Sequence, residues 1–530
     1  MRFLESVPGK FPVLLLALLM TGANPPAGAT PAAADGASPP ANRIDELVFA
    51  PGRDPANPPA NLCSDAVFVR RVYLDVTGTL PTGAEARDFI LDRTPDKRQR
   101  LIDQLLERDE FADFQAMKWS DVLRIKAEFP INLWPNAAQA YHGWLRENLR
   151  TNTPGDRLVR ELLTASGSNF ENPPVNFYRA LQNRTPDGIA QAVALTFMGA
   201  RAENWPSNQL ANLAVFFANV SYKSTAEWKE EIVFFNPAAT NTGALNGLPR
   251  PAVFPDGSTV ELSPDQDPRA VFADWLTAPN NPWFARNLVN RTWAGLFGCG
   301  IIQEPDDIRP DNPPANPELL AYLESELISS GYDLKHLFRL ILNSKTYQLP
   351  AVSAAGSDPA ANYAAYTLRR LDAEVLIDAI DRITGATENY SSAIPEPYTF
   401  IPDNLRSIAL PDGSISSPFL EMFGRSPRDT GRESERNNRI TAAQKLWLLN
   451  SSLFQRKIEQ SRMIEYQTRP DKTTADIVTG MYLGILSRFP TAGETQIAQA
   501  YFQKPGVARR QAAVDLAWAL MNSSEFLYRH

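Results

Sequence analysis

Tyr73-Leu74-Asp75-Val76-Thr77-Gly78-Thr79-Leu80-Pro81-Thr82-Gly83-Ala84-Glu85 decides the fold. Just upstream, Val67, Phe68, Val72 and Leu74 recur at helical spacing from Asp65 onward. The helix is broken by Gly78 and Pro81, and a new one is set up at once. Thr82 takes the N-cap and Glu85 falls three residues later, a capping box. Phe89, Ile90, Leu101, Ile102, Leu105 and Leu106 then continue the helical period. The wording returns far along the chain. Tyr482-Leu483 precedes Pro490-Thr491-Ala492-Gly493-Glu494, with the same spacing from tyrosine to proline. The two units close on Asp109-Glu110-Phe111 and Ser524-Glu525-Phe526. Leu342-Asn343-Ser344-Lys345-Thr346-Tyr347 matches Met521-Asn522-Ser523-Ser524-Glu525-Phe526 as well. The expectation is a repeated helix-cap-helix unit whose helix stops at Asn-Ser, after which an aromatic folds back onto the core.

Outward from this stretch the periodicity predicts helices over 138–149, 156–165, 187–199 and 207–218. Others are predicted over 268–277, 282–296, 316–330, 333–344, 369–384, 439–449 and 473–487. Asn316-Pro317-Glu318 is a well-formed helix start. Glu231–Phe235 and Thr259–Leu262 read as short strands, with Asp256-Gly257 turning into the second. The fold class is therefore mainly α: an irregular multi-helix bundle with a short β insertion near 228–262. Residues 386–436 read as a long irregular segment rich in proline, serine and charge.

The chain has 530 residues, 44% of them hydrophobic and 21% charged, which excludes wholesale disorder. Three histidines and two cysteines exclude zinc fingers, iron–sulfur clusters and disulfide scaffolds. Arg2 and Lys10, the apolar run Phe11–Met20 and the exit Ala27-Gly28-Ala29 have the layout of a secretory signal peptide over 1–29. A retained interfacial anchor is the competing reading. No other run is long enough to span a bilayer, so the mature chain is expected to have no transmembrane segment and to be exported to the periplasm or cell surface. Residues 30–60 read as a Pro/Ala linker with one helical patch, Ile44 to Phe49. The net charge of −8 disfavours nucleic acid as a partner. Cys63 and Cys299 are left open as a pair.

Arg70 to Thr82 resembles the signature of a large exported family first noted in planctomycetes. So do Ala273-Asp274-Trp275-Leu276, Asn287 to Trp293, Ser344-Lys345-Thr346-Tyr347, Arg370-Leu371-Asp372-Ala373-Glu374 and Arg436-Asn437-Asn438-Arg439. The resemblance implies a helical domain of the planctomycete cytochrome-associated type over 61–220. A β-containing insertion follows over 221–265, then a helical domain of the planctomycete surface type over 266–530. In words these are domains of unknown function fifteen-forty-nine and fifteen-fifty-three, and no activity carries over from them. Many members show Cys-x-x-Cys-His after the helix that ends here at Phe197-Met198-Gly199. This chain reads Ala200-Arg201-Ala202-Glu203-Asn204-Trp205-Pro206 instead, so thioether-linked haem is excluded.

The densest polar stretch is 423–439. Arg425, Arg428, Arg432, Arg436 and Arg439 stand there with Asp429, Glu433 and Glu435. It reads either as an anion site for a carboxylated or sulfated ligand or as an ion-pair network pinning an irregular loop. Glu304, Asp306, Asp307 and Asp311 offer hard oxygen ligands suited to calcium, but without EF-hand spacing; turn and cap chemistry is the plainer reading. No cofactor is predicted, and calcium rests on these four acids alone. His142 lies near Trp134, Tyr141 and Trp144, which read as a sugar platform or as core. His336 reads as a capped or solvated helix residue, and His530 as a poor catalytic base. The leading functional expectation is a non-enzymatic binding or scaffold protein, its partner an anionic glycan or another envelope protein. The alternative is a carboxylate-dependent hydrolase acting on polysaccharide; an electron-transfer accessory ranks third. Whether the chain is an enzyme is left open by its residues.

Overall fold

A computed structural model of the chain describes residues 41–49, 61–239, 250–351, 363 and 365–530. The fold is mainly α, with three small sheets. The expected signal peptide and most of the expected linker lie outside the described residues. The helical patch of that linker is a docked helix, Arg43–Val48, with Ile44, Leu47 and Val48 in the core. Its Asp45, fully buried, accepts from the Lys345 and Thr346 amides and from the Thr346 hydroxyl at 2.8–3.0 Å. That short piece is therefore fold rather than spacer.

The deciding stretch forms what its residues predict. The Asp65–Val76 helix ends at Thr77, and Gly78, with φ +62°, turns the chain beneath Phe114. Thr82 and Glu85 then exchange both hydrogen bonds of a capping box at the start of Gly83–Leu91. Lys97–Leu106 and Asp109–Val122 follow. The distant echo repeats the order: Thr474–Leu486, a capping box at Thr491 and Glu494, Ala492–Phe502, Arg509–Met521 and Ser524–Leu527. The two units pack together, and a Cβ on Gly83 would come to 3.3 Å from the Gly484 backbone.

The Asn-Ser stops share one geometry. Asn343 and Asn522 each bond back to the carbonyl four residues earlier, at 2.8 and 2.9 Å. Ser344 and Ser523 each donate to the carbonyl three residues earlier at 2.6 Å. Each serine oxygen then accepts the amide of the aromatic, Tyr347 or Phe526, at 3.2 Å, and both aromatics are fully buried.

Two hydrophobic cores share the Asp65–Val76 and Asp109–Val122 helices. One receives Phe68, Val72, Phe111 and Ala116. The other receives Leu74, Phe114 and Met117 beneath residues 371–526. Both predicted strands form, but not as one insertion. Glu231–Phe235 is the centre of a sheet with Gly167–Ser168 and Val220–Ser224, the latter two outside 228–262. Thr259–Leu262 pairs with Arg250–Val253 in a separate hairpin. The expected helix over 369–384 begins only at Ala373. Arg369–Arg370 instead form two residues of strand with Tyr528–Arg529. Their side chains are held by distant carbonyls and carboxylates, which local periodicity does not register. The helix over 452–467, unpredicted, is broken in two at Ser461, which caps the second piece.

Candidate functional site

The Asp65–Val76 helix carries Arg70, Arg71 and Asp75 into the interior, each at most 3% exposed. Their partners come from far along the chain. Arg70 donates to the carbonyls of Ile485 and Phe526 at 3.0 and 2.8 Å. Arg71 donates to those of Tyr347, Leu349 and His530 at 2.6–3.0 Å. Consecutive arginines thus grip the two Asn-Ser turns, one each. Asp75 accepts from the Tyr347 and Tyr366 hydroxyls at 2.9 and 2.8 Å and from Arg529 at 2.9 Å. Burial, with Asp75 and Tyr366 alongside, raises the Tyr347 phenol well above its ordinary value. Tyr347 therefore stays a donor.

A second knot lies next to the first. Asp121, on Asp109–Val122, and Glu374, on Ala373–Thr384, face each other across Arg436. The guanidinium reaches Asp121 Oδ2 at 2.7 Å and the two Glu374 oxygens at 2.6 and 3.0 Å. Arg428, fully buried, adds a bond to Asp121 at 3.0 Å. Arg425 lies 3.6 Å from Glu374 and donates to the Ile415 and Asp412 carbonyls. Burial opposes charge at Glu374, but Arg436 and then Arg425 outweigh it and hold the carboxyl below its usual range. Asp372 joins the two knots: it accepts from Arg529 at 2.9 Å, Lys118 at 3.0 Å and Asn438 at 2.7 Å. Burial is overcome there too, first by Lys118 and Arg529, and the carboxyl lies well below the ordinary value.

Asp372, Arg436 and Arg529 of these knots form the floor of a cleft of about 700 Å³. Lys118 stands on one side and the end of the Phe284–Phe297 helix on another. Leu368–Asp372, Tyr528–Arg529 and residues 433–440 complete the lining. Arg369 donates to the Gly295 and Leu296 carbonyls, a cation on a helix C-terminus. Gly298, with φ +83°, is required there, since a Cβ would collide with the Arg369 side chain. Lys118, Arg369, Arg370, Arg436, Arg439 and Arg529 line the cleft against Glu304, Asp372 and Glu433. Cations therefore prevail in a chain of net charge −8. Arg370 donates only to the carbonyls of Phe423, Asn437 and Asn438, so no carboxylate touches its charge. Burial lowers its pKa, and neighbouring Asp372 does not make up the difference. The exposed Arg439 guanidinium has no hydrogen-bond or ion-pair partner among the described residues.

The arginine-rich stretch thus divides. Arg425, Arg428 and Arg436 are structural, consumed in the floor rather than presented to a ligand. Arg432 pairs with Glu203 at 2.7 Å on the surface. Glu435, whose carboxyl is raised by burial, accepts the Thr430 amide at 2.9 Å. Glu433 stands exposed on the cleft rim, and Arg439 faces the cleft. The four acids of 304–311 do not converge as a calcium set, because each is paired with an arginine. Asp306 takes Arg291, Asp307 and Asp311 take Arg309, and Glu304 takes Arg201. Among the described residues no group of three or more His, Cys, Asp or Glu is placed to hold a metal ion.

The expected aromatic platform divides as well. Tyr141 is fully buried and His142 is 5% exposed. Burial, then Arg428 and Arg146, pushes the imidazole down to about 3, so it is neutral. Trp134 instead joins Trp228 and Tyr398. Cys63 and Cys299 form no disulfide. Residues 201–209, where haem-bearing relatives place their motif, border a separate groove with Trp205, Trp283 and Arg309. Neither thiol nor imidazole lines it, so the residues do not fit a thioether-linked haem. Among the described residues no helix is long and apolar enough to cross a membrane.

Lys118, Arg369, Arg370, Asp372 and Arg529 were not among the site residues expected from sequence. The usable signal was charge inside apolar periodicity: Arg70, Arg71, Asp75 and Glu374 sit at core positions of their helices. Residues 43–213 match the family PSCyt2, a protein of unknown function (DUF1549). Residues 268–502 match PSD1, a protein of unknown function (DUF1553). No curated protein and no solved structure matches the chain significantly. The chain thus carries the two planctomycete-type domains in this order, and its cleft is lined by Lys118 of the first, by residues between 294 and 440 of the second, and by Tyr528 and Arg529 beyond it.

Proposed function

We propose that this chain is a non-enzymatic binding protein of the periplasm or cell surface, and that the cleft lined by Lys118, Arg370 and Arg439 takes a carboxylated or sulfated ligand such as an anionic glycan. One observation carries the reading: Arg439, without a partner, and Arg370, bonded only to carbonyls, share a cleft of about 700 Å³ in which cations outnumber acids. The exposed Arg439 guanidinium has its planar donors available for an oxyanion, and Arg370, whose donors are taken by carbonyls, adds positive charge beside it that no carboxylate offsets. The buried knots support this by fixing the cleft walls in advance, which lowers the ordering cost of binding. Export is supported by the charged, apolar and small-residue order of residues 1–29. The hydrolase alternative lacks support, and the carboxylates of 304–311 are each tied to an arginine.

A thermal-shift screen of sulfated and carboxylated glycans tests the proposal. At least one class is expected to raise the melting temperature in a saturable, salt-sensitive way. Arg439→Glu is expected to abolish the rise without lowering the melting temperature of the unliganded protein. Equal shifts in wild type and variant would refute the site.

A further inference from the structure

The cleft does not end at its floor. A second cavity of about 110 Å³ lies against it, and both are walled by Lys118, Ala294, Gly295, Pro305 and Glu433. The character of the lining changes across that shared rim. Behind it Phe111, Phe114, Trp119, Leu149, Leu288 and Phe338 form an apolar majority, with Asp75, Asn152 and Arg291 among the polar residues of the same wall. The rim itself is open at Gly295. This glycine lies inside the Phe284–Phe297 helix, has no positive φ, and a Cβ added to it would meet nothing within 4 Å. Backbone geometry therefore does not demand glycine here, and a helix-interior glycine costs stability relative to alanine. This open position lies on the wall that polar cleft and apolar cavity share.

Resting on the anion-binding reading above, we infer that the ligand's anionic group carries a compact apolar substituent, aryl or branched alkyl, which passes Gly295 into the apolar cavity. The size is set by the volume. An apolar cavity of about 150 Å³ accommodates benzene, so about 110 Å³ holds one small ring or a short branched chain and nothing longer. The cleft cations hold the head while Phe114 and Trp119 enclose the tail. A headgroup alone leaves the apolar cavity unfilled, and an apolar molecule alone leaves Arg439 unanswered.

Calorimetric titration of the full chain with inorganic sulfate, methyl sulfate and phenyl sulfate tests this, using wild type, Gly295→Leu and Arg439→Glu. In wild type, phenyl sulfate is expected to bind about tenfold more tightly than methyl sulfate, the gain from burying the ring. Gly295→Leu, which fills open space in a helix, is expected to keep the wild-type melting temperature and its affinity for methyl sulfate while losing the tenfold gain. Arg439→Glu is expected to weaken all three anions. Equal affinities for methyl and phenyl sulfate in wild type would overturn the apolar subsite and leave the anion site standing. A phenyl sulfate gain that survives Gly295→Leu would overturn the route past Gly295. Failure of every anion to bind would remove the cleft reading and this one with it.

Discussion

Replacing Arg436 by methionine keeps most of the stem and removes the charge from the centre of the second knot. The wild-type side chain is 5% exposed and lies within 3.1 Å of oxygens on both Asp121 and Glu374. After the change Asp121 keeps Arg428 at 3.0 Å, whereas Glu374 is left with Arg425 at 3.6 Å. Breaking a buried pair from one side costs about 3–5 kcal/mol, because a desolvated charge loses its compensation. The loss carries a pH signature. In wild type Glu374 is held below its unfolded value, so its contribution is present above about pH 4.5 and fades as pH falls through the lowered folded pKa. In the variant burial is no longer outweighed and the pKa rises, so the penalty is largest near pH 8 and shrinks towards pH 5. Urea unfolding followed by tryptophan fluorescence at about pH 8 and about pH 5 measures both effects. Arg436→Met combined with Glu374→Met is expected to recover much of the loss, since neither charge then remains buried. A loss below about 1 kcal/mol, alike at both pH values, is what a solvated pair would give and would refute the reasoning.

Arg529→Met leaves Asp75 and Asp372 without their shared cation and is expected to cost about 3 kcal/mol, read by chemical denaturation; a solvated arginine would cost under about 1 kcal/mol. His142 is held near 3 when folded against about 6.5 unfolded, so the unfolded chain binds the extra proton in that window. Stability therefore falls as pH drops from about 6.5, by up to about 1.4 kcal/mol per unit, and His142→Phe is expected to make denaturation midpoints less pH-dependent across that range. His530, pushed down to about 4 by burial and Arg70, keeps a residual slope in the variant. Asp45→Ala removes the acceptor of three amides and a hydroxyl. It is expected to cost about 2–4 kcal/mol and to expose the 41–49 segment to limited proteolysis at protease levels that spare wild type.

What could be seen in the sequence follows the range of the interactions. Both capping boxes, at Thr82 and Thr491, and both Asn-Ser stops are settled within a few residues, and each is found where local chemistry puts it. The strands Glu231–Phe235 and Thr259–Leu262 were legible from alternation, but their partners were not, because pairing is a choice between distant edges. Arg369–Arg370 shows the opposite case. The helical pattern of 373–384 extends smoothly back through it, yet pairing with Tyr528–Arg529 and contact with carbonyls at 295–296 and 423–438 prevail. The arginine-rich loop was legible as a polar concentration. Which arginines would be consumed was not, because Asp121 and Glu374 reach Arg436 from positions 315 and 62 residues away. The cleft is a property of the assembled halves and has no local signature.

Occupation of the cleft by an oxyanion is the property on which the proposed function rests. Crystals soaked in selenate and measured at the selenium absorption edge answer this directly. The expected result is an anomalous peak between the walls at 368–372 and 433–440, within hydrogen-bond reach of Arg439 and absent in Arg439→Glu. Selenate peaks on the outer surface with none in the cleft would contradict it.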